Sequence, residues 1–399
     1  MIPNQWYAVL RTEDVKKSPV GITRFGKKLV LYRDTQGRVA CLDDRCAHKG
    51  VPLSHGQQHG DVIACPYHGF QYDQSGQCTH MPVLGKNGTP PKSMCVRAYH
   101  LQERHGLIWF WTGDAHSVPV GDVPMFEEFA TYDGFTSRYG WDAPVHYTRY
   151  VESVCEVYHV PFVHKGSALN IWDPKGGRID NFRCELQGTL IRSDFVLRAD
   201  DERSAEETLC AKTPWTRGWQ IGVDVQMPNM VQIRNDVFDV YLIATPIDDD
   251  NTWVCVCYKE PKRDLLLPFI KPLPIPGWRR VRPWLMCRME RYIQQAKDME
   301  ALRGQTPRIS HLKANKLIPL DKVNAHYLRL REQLTQAARQ GAAPPAPDPG
   351  VQPLHFHLPG TGGSAYKPFH PTPVTLTPAA SNETGRSAAS TTHTHRGAP

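Results

Sequence analysis

The sequence predicts an α+β chain in three parts, and three observations carry that division. Residues 1–115 read as short apolar runs broken by turn signals, the pattern of an all-β domain. Residues 116–340 mix strand-like runs with stretches of helical period. Residues 341–399 hold 11 of the chain's 34 prolines, few apolar residues and no period. Such a tail cannot bury enough surface to offset the entropy of ordering, so it is expected to be disordered.

The elements follow in order. Lys28–Arg33 and Arg38–Leu42 flank Asp34-Thr-Gln-Gly37, a hairpin signal, and Phe70–Asp73 and Gln77–Thr79 flank Gln74-Ser-Gly76 in the same way. Gly106–Trp111 reads as a buried strand that closes a β sandwich, and residues 113–128 read as a linker. A helical stretch is expected near 146–160. Strands are expected at Thr189–Arg192 and Val237–Ile243. A long helix should run from Pro283 to Arg303 with its proline at the start, and another from about Asp321 to Arg339.

Composition narrows the function classes. The net charge of +7 is modest for 399 residues and the basic residues are scattered, which argues against nucleic acid binding. A mildly basic face suits a negatively charged redox partner. The 11 cysteines are odd in number and irregularly spaced, as expected of reduced thiols in a cytoplasmic protein. Cys255 and Cys257 alternate along a strand and read as small buried hydrophobes. The start, Met1–Tyr7, carries no basic or long apolar leader, and no window reaches the length of a membrane span. The nearest, Leu265–Met286, is broken by five prolines.

Chemistry concentrates in two places. The first is the pair Cys46-Ala-His48-Lys-Gly50 and Cys65-Pro-Tyr-His68-Gly69-Phe70, with sixteen residues between His48 and Cys65. Each segment offers one thiolate and one imidazole, the ligand set of a Rieske [2Fe–2S] centre. A structural zinc ion would use the same atoms, but zinc-finger spacing pairs Cys with Cys and His with His. Respiratory Rieske proteins add a disulfide between the loops; Val51 and Tyr67 stand at those positions here.

The second is Glu152-Ser-Val-Cys-Glu156-Val-Tyr-His159-Val-Pro-Phe-Val-His164. A helix would set Glu152, Glu156 and His159 on one face. Pro161 removes a hydrogen bond and clashes with the carbonyl of Val157, so the helix should bend or end there and bring His159 and His164 together. Two imidazoles and one carboxylate with open positions make the facial triad of a non-haem Fe(II) oxygenase. Read alone, His-x4-His is more often the mark of two structural histidines; the Rieske segment upstream reverses that, since a one-electron cluster needs an acceptor.

Taken together the two segments resemble the catalytic α subunit of Rieske non-haem iron oxygenases over about residues 1–338. The resemblance implies a helix-grip-like antiparallel sheet for the second domain. It makes Cys46, His48, Cys65 and His68 the cluster ligands and His159 and His164 two of three ligands to a mononuclear Fe(II). The family's bridging Asp falls on Glu156, which is one methylene longer, and the family's nearby Asn falls on Ser153. The family role of that carboxylate is to link a cluster imidazole of one subunit to an iron-bound imidazole of the next. The segment Gln294-Gln-Ala-Lys-Asp298-Met-Glu-Ala-Leu302 resembles the family's Asp-bearing helix, which makes Asp298 the third ligand; Glu290 and Glu300 on the same helix read as solvated salt-bridge residues.

The function so implied is an O2-activating mono- or dioxygenase acting on a small organic molecule by hydroxylation, demethylation or ring dihydroxylation, as a homotrimer. Electrons come from NAD(P)H through a separate reductase, with or without a ferredoxin, since the chain has no Gly-x-Gly-x-x-Gly fingerprint and no plant-type ferredoxin Cys run. The alternative is a Rieske electron-transfer protein with no oxygenase activity of its own. Substrate contacts are expected from Gln226–Asn229, Val237–Ile243, Cys155 and Val160.

Overall fold

The computed structural model describes residues 1–113, 119, 121–164, 177–199, 219–235, 239–259 and 278–342. The expected disordered tail from 343 onward and most of the proline-broken run 265–286 lie outside them.

The N-terminal region is all-β, as expected. Strands β1 (Trp6–Arg11), β10 (Leu107–Trp111) and β9 (Leu101–Arg104) form one antiparallel sheet. A second is built from β2 (Val20–Arg24), β3 (Lys27–Arg33) and β4 (Val39–Asp43). A third runs β5 (Gln57–His59), β6 (Val62–Ala64), β7 (Gln71–Tyr72) and β8 (Cys78–His80). Both expected hairpins are present. In the first, Asp34 Oδ1 accepts from the backbone N–H groups of Gln36 and Arg38, and Gly37 takes a positive φ that a side chain would resist.

The fourth sheet, that of the C-terminal region, has seven antiparallel strands in the order β11 (Thr136–Ala143), β17 (Thr252–Lys259), β16 (Asp239–Pro246), β15 (Met230–Arg234), β14 (Trp219–Gln226), β13 (Leu190–Ala199), β12 (Gly177–Gln187). Both of its faces are covered. Helices α2 (Tyr147–Cys155), α4 (Trp278–Met289), α5 (Gln295–Arg303) and α6 (Lys322–Arg339) bury Val151, Val154, Met286, Met299, Leu302 and Tyr327 against Val223, Val225, Leu242 and Val254. On the other face Trp6, Ala8, Trp109 and Trp111 of the N-terminal sheet meet Met230, Tyr241, Ile243 and Trp253. This double cover explains why β16 and β17 read as continuous apolar runs rather than alternating ones. It also buries Cys255 and Cys257, as expected.

Three expectations are corrected. Residues 121–130 are no free linker: Val123, Phe126 and Phe129 are buried against the sheet, and Glu127–Ala130 forms the short helix α1. The helix over 146–160 is two pieces, α2 and α3 (Val160–Val163). The helix assigned to Pro283–Arg303 starts earlier, at Trp278, with Pro283 inside α4, and a π turn at Glu290–Gln294 separates α4 from α5. The last helix begins where expected: Asp321 Oδ2 accepts from the Ile318 N–H just ahead of α6.

Trp109 has no exposed surface and lies between the two sheets. Its truncation to Ala should cost about 3–5 kcal/mol by lost burial and a residual cavity. The expected result is a lower denaturant midpoint with the same spectral signature in the native state.

Candidate metal centres

The first site is made by two loops of the same design. In one, the N–H of Cys46 donates to Val51 O and the N–H of Gly50 to Cys46 O, both at 2.9 Å. In the other, the N–H of Cys65 donates to Phe70 O at 2.8 Å and the N–H of Gly69 to Cys65 O at 3.0 Å. Gly50 and Gly69 close the turns at φ of +74° and +69°. The loops place two thiols inside and two imidazoles outside. Cys46 and Cys65 are 2% and 3% exposed and their side chains are in hydrogen-bond contact. His48 and His68 are exposed, with their Nδ1 atoms 3.2 Å apart and Phe70 stacked on His48.

This donor set fits a [2Fe–2S] cluster. Burial pushes the Cys65 thiol up, but the backbone N–H groups of Tyr67 and His68 point at its sulfur and favour the thiolate. Tyr72 OH reaches Cys46 Sγ at 3.2 Å. Two imidazole Nδ1 atoms facing each other on the same side complete a split set, sulfur for one metal and nitrogen for the other.

The second site gathers residues from three elements. Helix α2 stops at Cys155, and Glu156 is extended at φ −121°, ψ 126°. So Glu156 does not share a helix face with Glu152, which is buried instead and held by Arg149 and Ser310. The break comes before His159 rather than at Pro161. Tyr158 is anchored to Asp321 through its hydroxyl, and Pro161 sits in the first turn of α3, where its missing N–H costs nothing. Helix α3 turns His164 back towards His159, with ring centroids 5.5 Å apart.

Asp298 on α5 meets both rings. Its Oδ1 lies 3.0 Å from His164 Nε2 and 3.5 Å from His159 Nε2, and the three ligand atoms all lie within 4.8 Å of one another. Glu156 Oε1 is 2.9 Å from His159 Nδ1. With that Nδ1 protonated, the Nε2 lone pair of His159 faces the Asp298 carboxylate, a contact that needs a positive charge between the two. In the bare chain the ring itself supplies it. Burial would lower the His159 pKa, but Asp298 and Glu156 together hold it up at about 10. A divalent cation meets the same demand, so the residues fit the metal that the sequence implies.

Two polar atoms nearby stay unmatched: His164 Nδ1 and Glu156 Oε2 are buried with no hydrogen-bond partner among the described residues. Glu300 is exposed, as expected of a solvated residue. Glu290 is not. It is partly buried, with Oε2 accepting from Tyr258 OH at 3.0 Å and Oε1 from Gln295 Nε2 at 2.8 Å. An unbroken α-helix would set Glu290 and Asp298 roughly 80° apart; the extra residue of the π turn cuts that to about 20° and brings both to one side of the helix. Burial pushes the Glu290 carboxyl pKa up, opposed by the Gln295 hydrogen bond and aided by Asp298. Nothing in the local sequence marks a π turn, so Glu290 is not the solvated residue that the sequence suggests. Asn229, expected near the substrate, is fully buried and its amide donates to Ala244 O and Thr245 Oγ1, a structural tie. Cys155 and Val160 do lie in or against the core between helices and sheet; residues 237 and 238 lie outside the described residues.

Comparison with known proteins agrees with the geometry. Residues 5–100 match the model of the Rieske [2Fe–2S] domain. The oxygenase component of dicamba O-demethylase from Stenotrophomonas maltophilia is 35% identical over 172 residues, 42% of this chain and 49% of that protein. The chloroplastic protein TIC 55 of Arabidopsis thaliana is 31% identical over 161 residues, 40% of this chain and 30% of that one. The chain thus spans half or less of the length of these curated relatives. A crystal structure of dicamba monooxygenase bound to 3,6-dichlorosalicylic acid superposes over 85% of this chain and 99% of its own, with a TM-score of 0.64 at 20% identity. The N-terminal region is therefore a Rieske [2Fe–2S] domain. Over most of its length the chain shares the fold of that dicamba monooxygenase. No helix among the described residues is long and apolar enough to cross a membrane.

Proposed function

We propose that this chain is the catalytic subunit of an O2-activating oxygenase, with residues 1–115 carrying electrons and residues 116–340 oxidising a small organic molecule. The observation that carries the reading is a Rieske domain in the same chain as a convergent set of two imidazoles and one carboxylate, His159, His164 and Asp298. Cys46, His48, Cys65 and His68 would hold the cluster, and the triad a mononuclear Fe(II). Bound there, the cluster supplies one-electron storage and the iron supplies O2 reduction beside the substrate.

The chain's own residues do the rest. Glu156 accepts from His159 Nδ1 and so keeps its Nε2 turned towards Asp298. Tyr150, Val154 and Cys155 on α2 are buried in the core between helices and sheet. Electrons enter from a separate NAD(P)H-dependent reductase, directly or through a ferredoxin. They cross between copies of a homotrimer, from His68 of one copy to Glu156 of the next. Exposed apolar groups support that docking at both centres: Tyr67, Val83 and Leu84 by the cluster loops, and Phe162 between His159 and His164.

Iron counting and oxygen uptake test the reading. Protein purified anaerobically should carry about three irons per chain. It should consume O2 with a surrogate reductase only when an oxidisable small organic substrate is present. Two irons per chain, a reducible cluster and no uptake with any substrate would instead make it an electron carrier.

A further inference from the structure

The two imidazoles of the second centre are not held alike. His159 has a carboxylate of its own, with Glu156 Oε1 2.9 Å from its Nδ1. His164 is 4% exposed and its Nε2 lies 3.0 Å from Asp298 Oδ1, but its Nδ1 is buried with no hydrogen-bond partner among the described residues. A ring that binds a metal through Nε2 carries its proton on Nδ1. That N–H ordinarily meets an acceptor, which fixes the tautomer and the orientation of the ring.

An unmatched atom of the opposite kind sits on the helix that carries Asp298. Gln295 is 3% exposed, and its Oε1 is buried with no partner among the described residues. It stands one turn ahead of Asp298, and Gln295, Asp298, Met299 and Leu302 are the buried face of α5. Its amide has a set direction. Gln295 Nε2 donates to Glu290 Oε1 at 2.8 Å, and Tyr258 OH donates to Glu290 Oε2 at 3.0 Å. A carboxylate only accepts, so it takes the NH2 end of the amide and leaves the carbonyl end for another donor. The π turn permits this pairing by bringing Glu290 round to the side of Asp298. Burial raises the Glu290 pKa most; Asp298 raises it further and His164 lowers it, so both lie within its electrostatic reach.

We infer that Gln295 is the positioning residue of His164: its Oε1 receives the Nδ1 proton of His164 when a metal occupies Nε2. The two atoms make no direct hydrogen bond. The link therefore runs through one ordered water, which accepts from Nδ1 and donates to Oε1, and such a bridge is nearly as favourable as a direct bond. Glu290, tied to the sheet by Tyr258, keeps the carbonyl end of the amide forward. Each imidazole then answers to a carboxylate, His159 to Glu156 directly and His164 to Glu290 at one remove. The inference deepens the metal-binding reading of His159, His164 and Asp298 and rests on it.

Co(II) alone is the probe, added to protein stripped of its mononuclear metal with the cluster left oxidised and in place. Affinity is read by equilibrium dialysis and ligand geometry by the electron paramagnetic resonance of bound Co(II), to which the oxidised cluster adds no signal. Gln295→Leu keeps the bulk of the side chain and removes the acceptor. It should weaken Co(II) by about 10- to 100-fold and change the Co(II) line shape, with cluster absorbance and thermal midpoint unchanged. Gln295→Glu keeps an acceptor towards His164 by sharing one proton with Glu290, and Glu290→Ala keeps Gln295 itself. Both should stay within about threefold of the wild type and retain its line shape. Wild-type affinity in Gln295→Leu overturns the role. So does a loss in Glu290→Ala or Gln295→Glu as large as that in Gln295→Leu, because Gln295 would then act only by tying the π turn. A wild type whose Co(II) affinity is unmoved by His164→Ala overturns the metal-site reading, and the inference with it.

Discussion

Asp298→Ala is expected to release the mononuclear iron and abolish turnover while the Rieske absorbance persists. Among the described residues Asp298 is the one carboxylate that meets both His159 Nε2 and His164 Nε2. Without it the site keeps two neutral imidazoles and loses the negative charge that a divalent iron needs. The fold should survive, since Ala is the best helix former and Asp298 lies within α5 with no N-cap duty. The measurement is metal content and O2 uptake on one preparation: about two irons per chain in place of three, and no substrate-stimulated uptake. Glu290→Ala is the sharp control, because the π turn aims it to the same side. It should keep all the iron. Iron lost from Glu290→Ala but not from Asp298→Ala would show that the third ligand was assigned to the wrong acid.

How legible each centre was depends on how far apart its residues lie. The Cys46–His48 and Cys65–His68 loops are local. Their glycines, spacing and mixed ligands stand in the sequence, and the two matching turns follow from them. The His159–His164 pair was also legible, but the reason for its geometry was not. The sequence pointed to a bend at Pro161, whereas the helix ends six residues earlier. The residue that pins the break, Tyr158, does so through Asp321, a partner 163 positions away. Asp298 was reachable only through family resemblance, for nothing in its own neighbourhood separates it from Glu290 or Glu300. The sheet was half legible for a different reason. Its strands β16 and β17 are covered on both faces, so the alternation that marks a strand in an antiparallel sheet is absent. Turn signals could be read, but not which runs pair, and so β11, β12 and the strand order emerged only with the fold.

Glu156→Gln is expected to leave both metal centres filled and to slow electron transfer between them, by roughly 10- to 100-fold, the usual cost of losing a carboxylate that orients a metal-bound imidazole. In the chain as it stands Glu156 makes one half of a bridge, from Oε1 to His159 Nδ1 at 2.9 Å. The other oxygen is buried with no hydrogen-bond partner among the described residues. To reach an imidazole of a second copy the carboxylate must rotate about its last torsion, which is soft in glutamate, and the extra methylene gives it the reach. A carboxylate can accept from two imidazole N–H groups at once; an amide accepts on one side only and puts a donor on the other. Single-turnover kinetics read this directly: the reduced cluster should reoxidise more slowly in the presence of O2 and substrate, with its spectrum and the iron content unchanged. Glu156→Asp discriminates further. It restores the acid of the family pattern but shortens the side chain, so a site adapted to the longer residue should transfer electrons more slowly with Asp than with Glu. Unchanged reoxidation in both Glu156→Gln and Glu156→Ala would take Glu156 off the path, and electrons would then have to leave the cluster through some other contact of His68.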